Sequence, residues 1–111
     1  MIRRTPPTPN CPLDVCLKFL SSAWTTRIFY YLRHGPRRFG DLRRDLEGIS
    51  TKVLTTRLRE MEAQGVITRK TLPADPPQVE YELTTLGHEF EPVLETMIKV
   101  AAKLQKRYGI S

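Results

Sequence analysis

The sequence predicts a mainly α-helical α+β domain with one small antiparallel hairpin, and three observations carry that prediction. Apolar residues recur at spacings of three and four over most of the chain, the mark of helices that bury one face. A single stretch switches to alternation, with Val79, Tyr81 and Leu83 set against Glu80 and Glu82, the mark of a half-buried strand. The 111 residues suffice for one modest core, and no apolar run approaches the roughly 20 needed to span a bilayer.

Residues 1–10 hold two arginines and three prolines without an apolar stretch, which reads as a flexible arm and argues against a secretory signal. The expected compartment is the cytoplasm. The domain proper is expected over residues 11–111. Pro12 suits the first turn of a helix, where a missing N–H costs nothing. Leu13, Cys16, Leu17 and Leu20 repeat at helical spacing behind it, and Ser21 and Ser22 close it. A second helix is expected from about Trp24 to Arg33, with Ile28, Tyr31 and Leu32 facing inward and His34, Gly35 and Pro36 ending it. Phe39, Leu42 and Leu46 mark a short third helix that Gly48 stops.

Ser50 is placed to cap the fourth helix with its hydroxyl. Leu54, Leu58 and Met61 define that helix's buried side, and at about 100° per residue Lys52, Thr55, Thr56 and Arg59 fall opposite. Gly65 ends it. Val66 to Leu72 reads as a strand, Pro73 to Gln78 as a proline-rich turn, and Val79 to Leu83 as the returning strand. A last helix is expected over Thr85 to Tyr108. Its stripe runs Leu86, Phe90, Val93, Met97, Val100 and Leu104, and Pro92 near its start favours a bend.

Helix, tight turn, helix and hairpin, in that order, set one helix into the major groove of DNA with a β-ribbon beside it. The predicted architecture is thus a winged helix-turn-helix with N- and C-terminal dimerisation helices. Charge agrees with that reading. The net charge is +6, and ten of the 18 Lys and Arg residues lie between Arg33 and Lys70 against five acids. Lys52 and Arg59 supply donors to phosphates or guanine edges, while Thr51, Thr55 and Thr56 are short enough to approach bases closely. Ser50 either caps its helix or joins that surface. Arg57 lies nearer the buried flank and is expected either to pack its stem or to pair with an acid. On the wing, Arg69, Lys70 and Gln78 reach towards phosphates or the minor groove, opposed by Asp75 at the tip.

Only Cys11 and Cys16 are present, too few for a disulfide framework, and with His34 and His88 distant they lack metal-ligand spacing. No metal and no cofactor is expected. Cys11 precedes Pro12 and so occupies the N-cap, where helix amides and the macrodipole favour negative charge; Arg3 and Arg4 lie close in sequence. Cys16 falls in phase with the apolar side of its helix and reads as a small buried hydrophobe. No phosphate loop, metal cluster or nucleophile elbow is visible, and Cys11 has no evident general base, so catalysis is not expected.

The last helix carries more apolar surface than one small domain covers. A two-fold interface from Leu13, Leu17 and Leu20 of the first helix and Phe90, Val93, Leu94, Met97, Val100, Ala101 and Leu104 of the last would bury it. Such an interface would set two reading helices about 34 Å apart on a roughly palindromic double-stranded operator.

Taken together, several motifs resemble the HxlR-type transcriptional regulators, relatives of the MarR proteins. They are Cys11-Pro12, Trp24, Gly35-Pro36-Arg37-Arg38-Phe39 with Leu42, Gly48 through Leu54, Arg57-Leu58, Gly65, Arg69, Pro77, Val79-Glu80-Tyr81, Leu83-Thr84 and Leu86-Gly87. They span about residues 11 to 100 in order; Ala23 departs from the family's usual lysine. The resemblance implies a homodimeric cytoplasmic regulator that binds an operator and represses or activates nearby genes. It also implies a redox- or electrophile-sensing role for Cys11, with an oxidant or a small-molecule effector as a further partner. The competing readings are a non-specific nucleic-acid binder and a winged protein-interaction module without a sensing role.

Overall fold

In the computed structural model, which describes residues 11–109, five longer helices and one single-turn helix surround a small sheet. The expected arm over residues 1–10, with Arg3 and Arg4, lies outside the described residues. Helix α1 (Pro12–Leu20) begins at its proline as expected, and α2 (Ala23–Leu32) follows after a two-residue corner, with Ser22 Oγ accepting from Thr25 N. Helix α3 (Phe39–Asp45) and α4 (Thr51–Ala63) form the helix-turn-helix. Strands β2 (Ile67–Leu72) and β3 (Gln78–Leu83) form the antiparallel hairpin, in register from Ile67–Leu83 to Leu72–Gln78. Gln78 therefore belongs to the returning strand and not to the turn.

A further strand, β1 (Arg37–Arg38), was not anticipated. It pairs with the outer edge of β3, Arg37 against Tyr81 and Arg38 against Glu80, giving the sheet order β1-β3-β2. Two residues are too short to display a period of two. Only the free edge of β3 defines them as a strand.

The core gathers Ile28, Phe29 and Leu32 of α2, Leu42, Leu46 and Ile49 around α3, and Leu54, Leu58 and Met61 of α4. Val66, Ile67, Tyr81 and Leu83 of the hairpin complete its floor. Burying each of these aliphatic side chains contributes about 1.5–3 kcal/mol, which is what holds α4 against the sheet. In α2 the inward face is Ile28, Phe29 and Leu32, with Tyr31 only half-buried. Phe29 stacks on Phe90 at 4.5 Å between ring centroids, and Phe19 tilts against the same ring at 5.5 Å. That aromatic cluster ties α1 and the C-terminal helix to the domain.

The expected single last helix is two. Helix α5 (Thr85–His88) is followed by two turn residues and then by α6 (Glu91–Tyr108). Pro92 has no N–H to offer the His88 carbonyl and its ring crowds that oxygen. The chain accommodates this by tightening: Glu89 N and Phe90 N bond to Leu86 O and Gly87 O, three residues back, at 3.1 Å each. Pro92 then lies in the first turn of α6, where it costs nothing. His88 Nδ1 contacts Glu91 Oε1 across the break. Among the described residues no helix is long and apolar enough to cross a membrane.

Candidate nucleic-acid interface

The surface that the sequence assigned to DNA is built around the tight turn between α3 and α4. Gly48 has φ +91°, a conformation that a side chain would strain, and it lets Ile49 fold back into the core at 7% exposure. Ile49 N bonds to Leu46 O at 3.0 Å. Ser50 then caps α4, its Oγ accepting from Val53 N at 3.1 Å. Its hydroxyl is thereby engaged in the cap.

From that cap, α4 presents Thr51, Lys52, Thr56 and Arg59 to solvent, with Thr55 half-buried. Thr56 Oγ1 donates to Lys52 O at 2.9 Å, so its proton is committed and its methyl and lone pairs remain available. Arg57 is half-buried and pairs with Glu60 at 2.9 Å. Three neighbouring cations are likewise engaged. Arg37 pairs with Asp45 and Arg44 with Asp41, both at 2.5 Å, and Arg69 Nε approaches Glu62 Oε1 at 3.9 Å. Lys52, Arg59 and Arg43 have no carboxylate within 4.0 Å among the described residues. Exposed pairs are each worth at most about 1 kcal/mol, so phosphate could compete for Arg44 and Arg69.

On the wing, Arg69, Lys70 and Gln78 are all exposed. Lys70 faces Glu80 across the hairpin and Arg69 faces Tyr81. Tyr81 joins the two halves of the surface. Burial pushes its phenol above the ordinary value of 10.0, Glu62 adds to that, and Arg69 and Arg59 pull the other way. Arg59 of α4 and Arg69 of β2 thus act on one ring, which puts helix and hairpin in a common electrostatic environment. Gln78 Oε1 accepts from Arg38 Nη1 at 3.0 Å. Arg38, which sequence reasoning did not single out, lines with Asp41, Arg44, Pro77, Gln78 and Tyr81 a cleft of about 580 Å³ between α3 and the wing. Its signals were its place among the clustered cations and in the Gly35–Phe39 motif, neither of which could reveal the strand.

Cys11 is the N-cap of α1, half-buried, and its side chain accepts no capping hydrogen bond. Cys16, expected inside, is exposed. The reason is that α1 has no buried residue at all, only Phe19 and Leu20 resting on the core. Among the described residues no group of three His, Cys, Asp or Glu side chains could hold a metal.

The surface assigned to dimerisation divides in two. Leu94 is buried in the chain's own core, Phe90 stacks on Phe29, and Leu20 is half-buried against the same core, so these three are already covered. Leu13, Leu17, Val93, Met97, Val100, Ala101 and Leu104 are exposed, and Ile98 joins them. Beyond Leu94 the core no longer covers the helix: Met97, Ile98 and Ala101 line only an open apolar cleft with Thr26, Arg27 and Tyr30 of α2, and Val100 and Leu104 are exposed.

Comparison with known proteins agrees with this architecture. The family model described as HxlR-like helix-turn-helix matches residues 19–108. An HTH-type transcriptional regulator of Synechocystis is 42% identical over 92 residues, covering 83% of this chain and 68% of its own. A protein from Porphyromonas gingivalis W83 assigned to the MarR family of transcriptional regulators superposes with a TM-score of 0.82 at 31% identity, over 89% of this chain and 97% of its own. The redox regulator HypR in its reduced form superposes with a TM-score of 0.80 at 33% identity, over 86% and 94% of the two chains.

Proposed function

The chain belongs to the HxlR-like helix-turn-helix family of transcriptional regulators, a non-enzymatic class, and from that premise we propose that it binds a specific double-stranded operator as a homodimer. Residues 11–111 act as the DNA-binding domain together with its dimerisation helices. Helix α4 enters the major groove. Lys52 and Arg59 are the principal cationic contacts, Thr51, Thr55 and Thr56 approach bases and backbone, and Ser50 holds the helix start. Arg69, Lys70 and Gln78 address the flanking groove from the wing. The observation that carries this reading is the pair Lys52 and Arg59, exposed and free of carboxylates in a helix whose other face is locked into the core. With two copies related by a two-fold axis, the operator is roughly palindromic, its half-sites about one helical turn apart.

The test is a mobility-shift titration at fixed salt with Lys52→Ala and Arg59→Ala combined. Each contact is worth about 1–3 kcal/mol, so the double variant should lose about a hundredfold or more in affinity. Its thermal melt should be unchanged, because neither side chain packs. Equal affinity of variant and wild type would remove the assignment.

A second reading concerns Cys11. The uncapped N-terminus of α1 beside its sulfur, and the likeness to HypR, a redox regulator, support a response to oxidants or electrophiles through this residue. Non-reducing gels after diamide treatment should separate wild type from Cys11→Ser, with DNA affinity changing only in the wild type. Identical migration and affinity in both would end the sensing role.

A further inference from the structure

Among the described residues, Arg38 and Gln78 make a side-chain hydrogen bond that links β1 to the tip-proximal end of the wing, and its chemistry restricts what the wing can offer to DNA. Arg38 stands across from Glu80, and its guanidinium reaches two residues along β3 to donate from Nη1 to Gln78 Oε1 at 3.0 Å. A guanidinium carries donors and no acceptor. The Gln78 amide must therefore turn its oxygen towards Arg38, and its NH2, with two donors, points elsewhere. Gln78 is exposed, and it closes the hairpin opposite Leu72, directly after Pro76 and Pro77. Arg37, its neighbour, is held by Asp45, whereas Arg38 has no carboxylate within 4.0 Å among the described residues.

We propose that Arg38 is a specificity-positioning residue of the DNA interface: by holding the Gln78 oxygen, it orients the amide so that Gln78 offers its NH2 to the minor groove. This rests on the operator-binding reading above. In the minor groove A·T and T·A pairs present only acceptors, adenine N3 and thymine O2, while a G·C pair adds the guanine 2-amino donor. A glutamine free to rotate could meet that donor with its oxygen. One whose oxygen is anchored on Arg38 presents its NH2 to the groove first, so it favours A·T pairs flanking the half-site. Lys70 and Arg38 stand on either side of Glu80 in the sheet register, so two cations flank one acid and this face of the wing stays attractive to a polyanion.

The experiment uses duplexes selected by the full-length wild type from a random pool. The positions beside each half-site are then rebuilt as A·T, G·C or inosine·C, inosine lacking the 2-amino group. Wild type should bind the A·T and inosine·C duplexes alike and the G·C duplex about tenfold more weakly. Arg38→Met should bring that ratio towards one while binding to the best duplex stays within about threefold. Arg38→Lys, which keeps a donor, should preserve most of the ratio. Gln78→Ala should abolish it. A ratio unchanged in Arg38→Met overturns the proposal, as does a G·C penalty that inosine fails to relieve. Uniform weakening of all duplexes in Gln78→Ala, with the salt dependence unchanged because glutamine carries no charge, would assign Gln78 to phosphate and likewise overturn it. If wild type selects no duplex at all, the operator-binding reading fails and takes this proposal with it.

Discussion

At Gly87 there is no room for a methyl group. A Cβ built there would overlap the Val66 carbonyl oxygen and press on the Leu83 side chain at 3.1 and 3.2 Å. The contact is backbone against backbone, so it cannot be relieved by turning a side chain. The Val66 carbonyl also accepts from Thr84 N at 3.0 Å, and Thr84 Oγ1 donates to Gly65 O while accepting from Gly87 N. This knot joins the end of the hairpin to α5. Gly87→Ala should therefore destabilise the protein by about 3 kcal/mol or more, read as a lowered midpoint in urea. A midpoint within error of wild type would contradict the close approach. Other residues were legible directly: Leu54, Leu58 and Met61 are buried in the phase that their spacing requires. Gly87 was not, because what surrounds it comes from residues 66 and 83, and spacing along the chain carries no record of that.

Among the elements, α4 depends on its first turn. The Ser50 cap satisfies Val53 N, and the first turn contains no acidic residue to help it. Ser50→Ala should cost about 1 kcal/mol of stability. Ser50→Asp should recover that stability, because aspartate caps equally well, while weakening operator binding by placing an anion beside phosphate. Melts and mobility shifts on the two variants separate cap from contact. If Ser50→Asp binds DNA as wild type does, the start of α4 lies away from the backbone. In the C-terminal elements, by contrast, the apolar spacing and the backbone disagree. The heptad-like stripe from Leu86 to Leu104 argued for one helix, and Pro92 broke it two residues upstream of itself. A proline acts on the carbonyl four residues earlier, so the break falls where the apolar pattern is uninterrupted.

For the whole molecule, the deciding feature is how little of α6 the domain covers. Of its 18 residues only Leu94 is buried, while Met97, Ile98, Val100 and Leu104 are each 44–49% exposed. Leu13, Val15 and Leu17 of α1 are exposed as well, and large exposed apolar side chains of this kind mark interfaces. A homodimer through these faces is the arrangement that we expect. Met97→Glu combined with Val100→Glu should give a monomer by light scattering at micromolar concentration, with operator affinity reduced because the two α4 helices are no longer linked. Wild type that scatters as a monomer under the same conditions would refute the dimer.

Periodicity, capping residues and charge were enough to read the class of fold, the order helix-turn-helix-hairpin and the buried side of α4; the family was legible only as a resemblance of motifs spread over residues 11 to 100. Each of these is local, set by residues within a turn or two of one another. The pairing of β1 on β3, the hold of Arg38 on Gln78, the exposure of Cys16 and the capture of Phe90 and Leu94 by the core were not readable in this way. They depend on which surfaces meet across dozens of residues, and a two-residue strand or a half-covered helix acquires its identity from the partner that packing brings to it.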